Sequence, residues 1–117
     1  MEYYKQLHDI EQTLHNYEST LALLAPALSA TVPLYIYRIQ QRGGITDLDI
    51  VRVQSYTQDL MTRGEDLYFR RGKDGETGTR FDQVAEIIAV LAFSPGGITV
   101  FGLHFNAYVQ RHVLEEE

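Results

Sequence analysis

The chain has 117 residues, of which 44% are hydrophobic and 22% charged, and this is the balance of a single globular unit, so a chain disordered throughout is excluded. A formal charge of −6 argues against a general polyanion binder, since sequence-independent nucleic-acid affinity comes from clustered Lys and Arg. The lack of cysteine excludes disulfides, thiolate metal sites and cysteine nucleophiles.

The first element is written by Tyr3, Leu7, Ile10, Leu14, Tyr17, Leu21, Leu24 and Leu28. Their steps of four and three average about 3.5 residues, the period of a bundle or coiled-coil seam. One long amphipathic helix over 3–25 is expected, interrupted by Pro26. Across its end, Leu21 to Ala30 imitates the apolar core of a secretory signal. The residues ahead of it carry Glu2, Asp9, Glu11 and Glu18 against Lys5, whereas a signal needs a positive start, and no apolar run approaches the ~18 residues of a membrane span. The expected location is cytoplasmic, with no membrane partner.

His8, Glu11, His15 and Glu18 share a stripe beside the seam. Imidazole and carboxylate together can hold zinc or iron, but His8 and His15 are two turns and roughly 10 Å apart along a helix. Solvated Glu-His pairs are the better reading, and neither metal nor cofactor is expected.

A second helix is expected with Ser29 or Thr31 as its cap and Pro33 in its first turn, ending at Gly43-Gly44. A strand over 34–39 is the competing reading, because Tyr and Ile favour sheets. Thr46-Asp47-Leu48-Asp49 then forms a variant capping box at the head of a third helix of about 24 residues. Ile50, Val53, Thr57, Leu60, Met61, Gly64, Leu67 and Tyr68 fall on its apolar side. Thr57 and Gly64 there leave room for a neighbouring helix. Asp49-Arg52, Asp59-Arg63 and Asp66-Arg70 give a self-neutralising ladder on the opposite side.

Gly72 to Gly78 is a glycine-rich connection, and a fourth helix over 80–93 comes after it. Ile87 to Phe93 offers no polar face and belongs near the centre of the fold. After Ser94-Pro95-Gly96-Gly97, residues 98–113 fit either a strand or a terminal helix from about residue 103. The expected architecture is therefore all-α: one domain over 1–117, an antiparallel bundle of four or five helices with glycine-rich connections, and a strand as the alternative near the C-terminus.

Three functional readings fit these residues. The favoured one is a non-catalytic protein-interaction or assembly module, an adaptor or accessory subunit that self-associates, with Tyr4, Tyr37, Tyr108 and Phe101 as its surface. The second is a small nucleic-acid-associated subunit. It would use Arg38, Arg42, Arg70, Arg71, Lys73 and Arg80, with glycine-loop amides beside the cations, although Asp74, Glu76 and Asp82 dilute the field. The glycine spacing around Lys73 is not that of a phosphate-binding loop. The third is a ligand-binding or metal-dependent protein centred on a histidine, with Gly96 and Gly97 bringing backbone close to a ligand beside His104. A serine-hydrolase pattern is absent around Ser19, Ser29, Ser55 and Ser94, so an enzyme is disfavoured.

Overall fold

A computed structural model describes residues 2–64, 68 and 80–93, with the backbone alone for residues 2–4. Six seam residues, Leu7, Ile10, Leu14, Leu21, Leu24 and Leu28, are buried in one core, and Tyr17 packs against it. The element carrying them is not one helix. It divides into α1 (Glu2–His15), α2 (Glu18–Leu23) and the start of α3 (Ala25–Gln41). The first break falls at Asn16 and Tyr17, where hydrogen bonds from Asn16 N to Thr13 O and from Tyr17 N to Leu14 O tighten the chain. The second falls at Leu24, whose N–H turns back to Leu21 O.

Pro26 begins a helix instead of ending one. It lies in the first turn of α3, where its missing N–H removes no helical bond, and the expected start at Ser29 or Thr31 moves back to Ala25. Pro33 consequently falls inside α3, where the Ser29 carbonyl loses its usual N–H donor. Thr31 is not a cap: its hydroxyl donates to the Ala27 carbonyl at 3.1 Å. Leu28, Val32, Ile36 and Ile39 form the buried side of α3, so the strand alternative for 34–39 is discarded.

The capping box forms at the head of α4 (Asp47–Arg63). The Asp49 backbone N–H donates to Thr46 Oγ1 at 3.4 Å, and the Thr46 N–H donates to Asp49 Oδ2 at 2.8 Å. Ile50, Val53, Thr57 and Leu60 are buried as the apolar pattern requires, with the Thr57 hydroxyl satisfied by the Val53 carbonyl at 2.7 Å. Three expectations for this helix are corrected. It stops at Arg63 rather than running for about seven turns, because Gly64 adopts φ +85, a left-handed conformation that an α-helix cannot use. Gly64 is therefore a stop and not a small contact surface, and a Cβ placed there would meet nothing within 4 Å. Met61, at the end of the helix, is mostly exposed.

The last described helix, α5 (Phe81–Leu91), sits in the centre: Val84, Ala85 and every residue from Ile87 to Leu91 are buried. It packs against α3 on one side and α4 on another, while α1 covers α4 and α2 leans on α3. The fold is an all-α helical bundle, with five helices and no strand among the described residues. No helix among them is long and apolar enough to cross a membrane. The helix or strand alternatives for 98–113 lie outside the described residues.

Candidate functional site

The C-terminal half of α3, the head of α4 and the middle of α5 enclose a cleft of about 210 Å³ lined by Tyr35, Arg38, Ile39, Arg42, Asp49, Arg52 and Glu86. Helical spacing creates it. Tyr35, Arg38 and Ile39 share one side of α3 and Arg42, its C-cap, continues that side one turn on, while Asp49 and Arg52 stand one turn apart on α4.

Two carboxylates organise the cations. Asp49 is 2% exposed, and its Oδ1 accepts from Arg42 Nη2 at 3.0 Å while Oδ2 completes the helix cap. Glu86, whose side chain is 13% exposed, accepts from Arg52 Nη2 at 2.9 Å. Burial pushes the Glu86 carboxyl above the usual glutamate range; Arg52 opposes that shift and Asp49 adds to it. Arg52 is held more firmly protonated than an ordinary arginine, first by a side-chain hydrogen bond with Tyr56, whose ring centroid lies 6.0 Å from its guanidinium carbon. Arg38 differs from both. It lies over the Tyr35 ring, 5.2 Å from the centroid, and pairs with no carboxylate among the described residues. Burial and the nearby Asp82 raise the Tyr35 phenol, against the lowering effect of Arg38.

A second polar cluster lies at the far end of α4. The fully buried Tyr68 places its hydroxyl 2.5 Å from Asp59 Oδ2 and 3.0 Å from the Gln83 amide oxygen position. A phenol has one proton; the short contact takes it, so the Gln83 amide satisfies the remaining distance by presenting its NH2. Asp59 also binds Arg63 Nε at 2.8 Å. Its carboxyl is lowered, first by the Tyr68 hydrogen bond, while burial pushes the Tyr68 phenol far above the tyrosine range, reinforced by Asp59.

These pairings revise the expected ladder. Asp59-Arg63 forms, but Asp49 pairs with Arg42 and Arg52 with Glu86, since both carboxylates point between helices instead of along one. Asp66-Arg70 lies outside the described residues. Of the six cations in the nucleic-acid reading, Arg38 and Arg42 share the cleft. Arg80 belongs instead to the Asp59-Tyr68 end, about 15 Å further along α4, and its buried Nε has no hydrogen-bond partner among the described residues. Arg70, Arg71 and Lys73 are outside the described residues, as are Phe101, Tyr108, Gly96, Gly97 and His104.

On the proposed interaction surface, Tyr37 is 55% exposed, while nothing is described of the Tyr4 side chain. His15 Nδ1 lies 3.8 Å from Glu18 Oε2 with both side chains half-exposed, and His8 is exposed. Among the described residues no three His, Cys, Asp or Glu side chains gather where they could hold a metal ion. Sequence reasoning missed Glu86 and Asp49 as organisers of the cleft. The signal available was Glu86 itself, the last polar residue of α5 before its apolar run.

No protein-family model matches the chain, and neither the curated proteins nor the solved structures contain a match to it.

Proposed function

We propose that the protein is a non-catalytic assembly module that self-associates through the outer face of α3. The observation that carries this reading is an apolar stripe turned to solvent. Pro26, Ala30, Leu34 and Tyr37 are exposed at steps of four, four and three, and Leu23 is exposed just ahead of them. Leu34 is 60% exposed and Leu23 69%. No charged residue interrupts the stripe from Pro26 to Tyr37, although Arg38 lies beside it.

Covering a large apolar side chain gains roughly 1.5 to 3 kcal/mol, so Leu23, Leu34 and Tyr37 supply the apolar anchors expected of an interface centre. A tyrosine at such a position can bury its ring and keep its hydroxyl at the wet rim. The nucleic-acid reading has less support: of its cations, Arg42 spends part of its charge on Asp49, and Arg80 lies at the Asp59-Tyr68 end instead of in the cleft.

Sedimentation velocity over a concentration series tests the proposal. The wild type is expected to gain mass with concentration, and the double variant Leu34→Glu, Tyr37→Glu to remain monomeric with unchanged helical circular dichroism. A wild type that stays monomeric at high micromolar concentration would end the self-association reading.

A further inference from the structure

We infer that the cleft between α3, α4 and α5 is a socket for a single carboxylate group, with Arg38 as its primary contact. The inference is independent of the outer α3 face. It rests first on what the three guanidiniums have left to give.

Arg42 and Arg52 each use one Nη2 contact on a protein carboxylate, and a guanidinium carries five N–H donors. Both side chains are 45% exposed, so part of each fork remains accessible. Asp49 and Glu86, much less exposed than the arginines they bind, work here as anchors that fix two flexible side chains at the cleft wall. Arg38 has its charge uncommitted to any described carboxylate and its plane supported by Tyr35.

Charge and volume then select the ligand. Among the lining residues three guanidiniums face two carboxylates, an excess of one positive charge that the nearby Asp82 dilutes, so the cleft suits a group of no more than one negative charge. A doubly charged phosphate would leave excess negative charge beside Asp49 and Glu86. A volume of about 210 Å³ is below the ~300 Å³ at which pockets for drug-sized ligands begin, so a nucleotide is too large to be enclosed. Tyr35 and Ile39 add an aromatic and an aliphatic wall, which suit a compact apolar body attached to the carboxylate. Bidentate binding to guanidinium is the usual geometry for that group. The carboxylate can belong to a free small acid or to an acidic side chain of a peptide.

The experiment is a heteronuclear NMR titration of the full chain that follows the arginine Nε–H and backbone signals. Benzoate and a short capped glutamate peptide are the two ligand arms, and neutral benzamide and ionic-strength-matched sodium chloride are the controls. Saturable shifts centred on Arg38, Arg42 and Arg52 are expected with a carboxylate and not with either control, weakening at least tenfold in Arg38→Gln. Tighter binding of benzoate assigns the site to free acids, and tighter binding of the peptide assigns it to a protein carboxylate. Because Arg38 is exposed, its replacement leaves the core intact, which unchanged backbone signals in the free variant verify. Absence of saturation in both arms, equal shifts with benzamide or chloride, or binding unchanged in Arg38→Gln overturns the inference.

Discussion

Tyr68 reaches from a fully buried ring to place its hydroxyl 2.5 Å from the Asp59 carboxylate, joining the segment beyond α4 to the last turns of that helix. The bond holds Asp59 ionised to lower pH than usual. A carboxyl whose folded-state pKa is depressed adds stability above its unfolded-state range and loses that contribution as pH falls through the folded value. Tyr68→Phe should therefore return the Asp59 pKa upward toward the ordinary aspartate range and flatten the acid limb of the stability curve. A carboxyl-carbon NMR titration of both proteins reads this directly. An Asp59 pKa unchanged in the variant would remove the hydrogen bond as the cause.

Glu86 gives the opposite sign. Its folded pKa is raised, chiefly by burial, so the folded environment favours the neutral carboxylic acid more than water does. Stability linked to this group is fully present below the unfolded-state glutamate range and is lost as pH rises through the folded value. Glutamine copies the neutral form. Glu86→Gln is expected to equal or exceed the wild type in denaturant midpoint at pH 7, by less than about 1 kcal/mol given the screening at the cleft mouth. The difference should close in acid. A clear loss at pH 7 would mean that the Arg52 pair outweighs the desolvation cost.

Gly64 separates two accounts of α4 by the sign of one substitution. Inside a helix, alanine in its place would stabilise by about 1 kcal/mol. At φ +85 and ψ 171, a Cβ is strained even though the surrounding space is empty. Gly64→Ala should cost about 1 to 3 kcal/mol in urea denaturation. A gain in stability would restore the longer helix.

Much of the bundle is legible from residue spacing because burial obeys periodicity. The seam leucines, the buried side of α4 and the apolar run of α5 all enter the core as their steps require. The Thr46-Asp49 cap is legible because its chemistry is confined to four residues. The ends of helices are less so. Pro26 permits two meanings, a stop for the helix before it or a first turn for the helix after it, and only the path of the chain at Leu24 decides. Gly64 is equally ambiguous, since a glycine on an apolar side reads as a contact until its φ is known. The cleft is the least legible feature: Arg52 and Glu86 lie 34 residues apart, and no local spacing joins them.

The breaks at Asn16-Tyr17 and at Leu24 bear on how the chain avoids misassembly. A straight helix carrying eight seam residues offers a long template on which an identical helix from another chain could zip. Divided as it is, its longest uninterrupted piece before α3 has 14 residues, about 21 Å of rod, close to the length at which isolated helices are marginal in water. The joints shorten the reach of the seam beyond its own bundle. They also let its early part cover α4 while its later part turns toward the α3 side, so one repeating pattern wraps two surfaces that a rigid rod could not follow.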